Sequence, residues 1–237
     1  MYDDLRARVR ADFPRARSEL ESLIRIPSGS APGYHPGHVR ASAELVASML
    51  TDSGFDEVRL LELDGAHPAV YGERQGPPGS PTLLLYAHHD VQPPGPAAQW
   101  ETNPFTPVER GGRLYGRGSA DDKCGIAMHL AAVRAFGEAL PHTATEATAG
   151  DEEPGSAHLV AFRDTAADPL ASAAIIIGDA GNWAPGVPGM RTSLRGLVDC
   201  TVTARTLTYA VHSGTFGGAY PDAITGLART LARLHHD

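Results

Sequence analysis

Cysteine and lysine are nearly missing from this chain of 237 residues. The two cysteines, Cys124 and Cys200, are far apart and lack C-x-x-C spacing, which excludes a disulfide framework and a zinc ribbon. A reducing cytoplasm is the compartment that this usage predicts. Lysine occurs once, as Lys123, although Lys and Arg together number 20. Acidic side chains number 28, the formal net charge is -8 and no Lys/Arg-rich stretch is present, which argues against a nucleic-acid partner. No apolar run approaches the roughly 20 residues that cross a bilayer, so no membrane association is expected. The charged start, Met1 to Arg6, reads as a helix rather than a signal peptide. Hydrophobic content of 42% with 20% charged residues is ordinary for a globular protein with ample length for a core.

The pattern along the chain alternates helices and strands. Leu5, Val9 and Phe13, then Leu20, Leu23 and Ile24, recur at helical spacing, with Pro14 expected to start a second helix capped by Asp12. A helix near Val39 to Ser53 follows a Gly/Pro-rich loop, and strands are expected near Glu57 to Leu63, Ala69 to Gly72 and Thr82 to Ala87. Residues 92–112 read as one long loop. Asp122 to Ala139 places Ile126, Leu130, Val133 and Phe136 on one helical face, and Ala173 to Gly178 has the continuous apolar character of a buried strand. Together these predict an α/β fold: a mixed sheet flanked by helices over 1–192. Near Thr192 the character changes. Leu197 to Ala204 alternates like a half-exposed strand with Val198, Cys200 and Val202 on one side, and Asp222 to His235 reads as a helix with Ile224, Leu227, Leu231 and Leu234 inward. Residues 193–237 thus look like the beginning of a second, α+β domain.

Four clusters of metal-ligating side chains fall at the ends of apolar runs: His88-His89-Asp90, Asp121-Asp122-Lys123, Asp151-Glu152-Glu153 and Asp179. Imidazole and carboxylate together suit a hard or borderline dication such as zinc. His88 alone would read as a hydrogen-bonded structural histidine; beside Asp90, Asp121, Glu153 and Asp179 it reads as a ligand. Asp90, two residues on, can fix the tautomer of that ring. His89 points the opposite way along a strand and is expected to pack or face solvent. Asp121 sits where the helix dipole favours a negative group. Adjacent Glu152 and Glu153 suggest two tasks, one carboxylate on the metal and the other as general base, although Asp151 to Gly155 is also good turn composition. Lys123, the one compact ammonium, is expected beside the metal carboxylates, where a planar guanidinium would substitute poorly.

The segments Tyr86 to Pro93, Gly116 to Lys123 and Asp151 to Ser156, with Trp100 to Phe105 and His212-Ser213-Gly214, resemble the signatures of the aminoacylase, dipeptidase and glutamate-carboxypeptidase family of di-zinc metallopeptidases, bacterial dipeptidases above all. The resemblance covers the chain from its first helices onward. It implies hydrolysis of a peptide bond in dipeptides or similar small substrates, with Asp121 bridging two zinc ions, His88 and Asp179 completing one, and Glu153 binding the other. Cobalt or manganese would suit the same donors. It further implies Glu152 as general base, Asp90 behind His88, and His212 as the histidine of a lid domain that reaches a partner's active site in a homodimer. A deacylase acting on N-acyl amino acids, or a non-catalytic remnant, is the alternative implied.

Four departures from the family pattern accompany the resemblance. The histidine expected to complete the second metal belongs to a C-terminal family segment not present here, so the chain reads as an N-terminal fragment with one good and one defective metal position. His235 and His236 fall in the wrong context to replace that ligand. Thr143 to Ala149, expected as a core strand, is poorly apolar; Ala149 stands where an acidic residue is common, and Cys124 where a small one is.

Overall fold

The apolar run beginning at Thr82 forms strand β3 (Thr82–His88) in the computed structural model, which describes residues 2–165 and 170–234. The chain divides into two units, Met1–Met190 and Arg191–Asp237. In the first unit, β3 joins β1 (Glu57–Leu61), β2 (Ala69–Arg74), β6 (Thr143–Ala149) and β7 (Ala174–Ile177) in one sheet of order β1-β2-β6-β3-β7. The pairs β1–β2 and β2–β6 are antiparallel, whereas β3 runs parallel to both β6 and β7. This is the mixed sheet that the alternating pattern predicted. A separate hairpin, β4 (Val108–Arg110) with β5 (Arg113–Tyr115), replaces the last part of the stretch read as a single loop.

Helices α1 (Tyr2–Ile24), α2 (Pro36–Asp52) and α3 (Lys123–Phe136) supply the apolar layer. Leu23 of α1, Val46 and Leu50 of α2, Ile126 and Leu130 of α3, and Val70 and Leu85 of the sheet are buried in one cluster. Each such side chain stabilises the fold by about 1.5–3 kcal/mol relative to exposure. The face expected on α3 is the one that packs. A short helix, α4 (Leu159–Thr165), follows the loop after β6 and buries Phe162.

Helix α1 corrects one expectation, because it runs unbroken through Pro14. A proline inside a helix removes one backbone hydrogen bond, yet side-chain anchors span the site. Arg134 of α3 bonds Asp12 at 2.7 Å and Glu19 at 3.0 Å, one acid on each side of the proline. Asp12 is therefore a partner of Arg134 and no cap.

Strand β7 is a second correction. Its apolar run was expected to be buried, but all four residues are exposed, Ile175 by 60%. β7 lies at one edge of the sheet, where it pairs with β3, and none of its residues belongs to the buried cluster under the helices.

In the second unit the described helices are α5 (Ser213–Phe216) and α6 (Ala223–Ala232). The strand expected from Leu197 to Ala204 does not form among the described residues, and Val198 is 92% exposed. A strand requires a hydrogen-bonded neighbour, and this stretch has none. Helix α6 is where the pattern placed it, with Asp222 accepting from the Thr225 amide at 2.7 Å as its cap. Its apolar stripe is not inward, however: Ile224, Leu231 and Leu234 are exposed and Leu227 is half-buried. His235 and His236 lie outside the described residues.

Candidate metal centre

Parallel pairing brings three of the four clusters to one edge of the sheet. His88, at the end of β3, is level with Ala149 at the end of β6, and Tyr86 is level with Ile177 at the end of β7. The residues that follow these strands, Asp90, Asp151 to Glu153 and Asp179, therefore emerge side by side. The carboxyl ends of such strands are where open α/β sheets place their sites. The fourth cluster enters from the start of α3, where Asp122 is the N-terminal flanking residue.

His88 is the hub of the arrangement and is fully buried. Its Nε2 lies 3.2 Å from Asp121 Oδ1 and 3.9 Å from Glu152 Oε2. Its Nδ1 lies 3.3 Å from Asp90 Oδ1 and 3.2 Å from the Asp90 carbonyl oxygen. Donor atoms of His88, Asp121 and Glu153 converge within 4.8 Å of one another, and so do those of His88, Asp122 and Asp179. Asp121 and Asp179 thus approach His88 in two different groups.

Buried Asp90 organises the neighbouring turn as well as the ring. It accepts from the Ser30 hydroxyl at 2.5 Å and from the amides of Glu152 and Glu153 at 3.3 and 3.1 Å. One carboxylate thus ties the histidine segment to the diglutamate segment. Gln92 holds Glu153 from the other side, its amide donating to Oε1 and its side chain to the carbonyl, both at 3.0 Å. Asp122 accepts from the His88 amide at 3.3 Å. Sequence reasoning assigned no role to Ser30, Gln92 or Asp122. Ser30 lies 60 residues from its partner, which no local pattern reveals; Gln92 and Asp122 stood inside the quoted motifs and were within reach.

Excess negative charge marks the site. Six carboxylates (Asp90, Asp121, Asp122, Glu152, Glu153 and Asp179) gather here, and among the described residues His88 is the one basic side chain within 4.0 Å of any of them. Burial opposes charge on His88, but the hydrogen bond and charge of Asp90, followed by Asp122 and Glu152, lift its pKa to about 10. Burial and the Asp179 charge push Asp122 to about 7. Glu152 and Glu153 are both raised, by burial first and by neighbouring carboxylates next. Asp90 goes the other way: hydrogen bonds from His88 and Ser30 outweigh its burial and hold it low. Asp122 Oδ1 is buried without a hydrogen-bond partner. One imidazole, converging carboxylate oxygens and uncompensated negative charge fit a divalent cation.

Two neighbouring residues have structural tasks. Lys123 was expected beside the carboxylates, but its ammonium donates to the carbonyl oxygens of Leu23 and Ile26 at 2.8 and 2.9 Å, tying down the end of α1. Burial pulls its pKa to about 7, against the charge of Asp90. His89 is buried, and its Nε2 meets the Pro68 carbonyl at 3.0 Å, so it packs inside rather than facing solvent. His212 lies in the second unit, where its Nδ1 accepts from the Gly214 amide at 3.1 Å.

The chain matches the model of peptidase family M20/M25/M40 over residues 84–234 and belongs to that family. It is 35% identical over 223 residues to a cysteinylglycine-S-conjugate dipeptidase of Corynebacterium striatum, covering 92% of this chain and 48% of that protein. To the Cys-Gly metallodipeptidase dug1 of Schizosaccharomyces pombe it is 29% identical over 231 residues, again covering 92% and 48%. In fold it resembles the dipeptidase Dug1p of Saccharomyces cerevisiae, with a TM-score of 0.74 at 23% identity over 99% of this chain and 53% of that one. The chain spans about half the length of the curated relatives it matches.

Proposed function

We propose that this chain carries the metal-binding half of a hydrolase that cleaves the peptide bond of dipeptides. The observation behind this reading is the pair of overlapping donor groups that share His88. One imidazole nitrogen serves one ion, so the shared histidine divides the donors into two adjacent positions. We assign His88 and Asp179 to one zinc, Glu153 to the other, and Asp121 to the bridge, with cobalt or manganese as substitutes. When bound, such cations polarise the amide carbonyl and acidify water.

The chain's own residues supply the remaining tasks. Glu152, held at its amide by Asp90, takes the proton from the attacking water and delivers it to the leaving amine as the C–N bond breaks. Asp90 orients His88. In a neutral ring, the Gly214 amide bond to His212 Nδ1 leaves the proton on Nε2, a donor suited to the developing oxyanion. The assignment of His212, and of residues 193–237 as part of a lid that pairs in a homodimer, rests on the family resemblance of His212-Ser213-Gly214, and a cytoplasmic location rests on the sparse cysteines. Names of the relatives favour dipeptides over N-acyl amino acids as substrates.

Calorimetric titration with zinc is expected to give one tight and one weaker equivalent; two equally tight equivalents would refute the unequal assignment. Asp121→Ala is expected to weaken both, and unchanged binding removes it from the bridge. Glu152→Gln is expected to keep the metal content and lower dipeptide hydrolysis by about 100-fold or more. Faster turnover of N-acyl amino acids than of dipeptides would reassign the substrate.

A further inference from the structure

Behind the carboxylates lies a second polar cluster that the proposed chemistry does not use. Glu146 stands in the middle of β6, at a position facing the helical layer, and His129 stands on α3; they are 0% and 6% exposed. His129 Nδ1 lies 3.1 Å from Glu146 Oε1, and the Thr148 hydroxyl donates to the same oxygen at 3.2 Å. The other ring nitrogen, His129 Nε2, is buried with no hydrogen-bond partner. The same is true of Asp122 Oδ1. A buried ion pair is a weak source of stability, and an apolar pair of similar volume is often as stable or more so. Its presence in a central strand calls for another reason.

The direction of the unpartnered atoms supplies that reason. Asp122, Gly125 and His129 follow the i, i+3, i+7 spacing that places them on one face at the start of α3. A Cβ on Gly125 would lie 2.6 Å from Asp122 Oδ1, and a Cβ on Gly178 would lie 2.9 Å from Gly125 Cα and 3.1 Å from His129 Nε2. Two glycines therefore let the segment before Asp179 lie directly against this face, between the aspartate and the histidine.

We propose that the buried Glu146–His129 pair is a positioning device for Asp122 and the Gly178–Asp179 segment, and through them for the cation assigned to His88 and Asp179. It rests on the metal-centre reading above. Glu146 accepts from Nδ1, which fixes the ring plane and aims Nε2 at Gly178. Burial opposes charge on His129, but the charge and hydrogen bond of Glu146, with Asp122 adding, raise its pKa above the ordinary value. A protonated ring presents an Nε2 donor and a positive charge to the rear of the carboxylate cluster. Partners of this kind, one shell beyond the ligands, typically change metal affinity by about 10–100-fold.

The test compares the parent chain with a double variant, His129→Leu with Glu146→Leu, and with Glu146→Gln, which alters a single atom. Cobalt(II) binding is followed by calorimetry and by the visible absorption of the bound ion, and folding by thermal melting. The double variant is expected to melt at or above the parent temperature, bind the tighter cobalt equivalent about tenfold more weakly, and show a shifted visible band. Glu146→Gln is expected to weaken cobalt by a smaller factor of about three, and it carries the test if the double variant does not fold. Parent-like affinity and spectrum in the variants overturn this inference alone. Failure of the parent chain to bind cobalt overturns both it and the metal-centre reading.

Discussion

Leu130 and Leu231 each lie on the apolar stripe of a helix, α3 in the first unit and α6 in the second. Leu130 is fully buried, whereas Leu231 is 45% exposed. The stripe of α6 is the sharper of the two in the sequence, so pattern alone does not decide which one is buried. What separates them is a surface to meet. Helix α3 lies over a sheet that contributes Val70 and Leu85, and beside helices contributing Leu23 and Leu50. Among the described residues, the second unit offers α6 no comparable layer. Amphipathic spacing forms the helix; burial requires a second apolar face at the right distance.

The sharpest way to break this contrast is truncation at the two leucines. Leu130→Ala is expected to cost about 2–5 kcal/mol of unfolding free energy, and Leu231→Ala less than about 0.5 kcal/mol, read from urea denaturation of the chain. Equal losses would show that the second unit has a core of its own.

Acid offers a smaller lever on the first unit. His89 is held near pKa 4 by burial, against an ordinary value of 6.5, so the unfolded chain takes up this proton first. Its contribution is fully present above pH 6.5 and is lost as pH falls toward 4. Asp122, raised to about 7, acts with the opposite sign over part of that range, so the parent alone does not isolate His89. A comparison with His89→Gln does, because Asp122 is common to both. The parent's stability advantage is expected to shrink by about 2 kcal/mol between pH 6.5 and about 5. A constant difference would mean that His89 titrates normally in the folded chain.

The smallest effect belongs to the second unit. Asp222→Ala removes the cap of α6. A slight loss of helical circular dichroism is expected, with the urea midpoint of the first unit unchanged.

Much of the site was legible in advance because strand ends and ligand types coincide. His88, Glu153 and Asp179 follow runs that end in an imidazole or a carboxylate, and parallel pairing of β3, β6 and β7 explains why those ends meet, whereas Asp121 joins them from the start of α3. Asp90 was expected behind His88 on a two-residue spacing, and it stands 3.3 Å from the ring. Other residues depended on contacts far apart in the chain. Ser30 reaches Asp90 across 60 residues, and Lys123 reaches Leu23 across 100. The Lys123 expectation failed because proximity in sequence to Asp121 and Asp122 says nothing about which way a long side chain runs. Pro14 misled for a related reason, since Arg134, 120 or so residues away, stabilises the helix through it.

Local chemistry therefore determined most elements of the first unit, the candidate donor residues and the family of this chain, because periodicity and motif spacing are short-range properties carried by neighbouring residues. Long-range packing settled the rest: that β7 is an exposed edge, that α6 shows its apolar stripe to solvent, that Lys123 closes a helix, and that Glu146 and His129 stand behind Asp122. Burial, charge compensation and hydrogen-bond partnership are set by whatever surface the fold brings alongside, and no stretch of sequence contains that surface within itself.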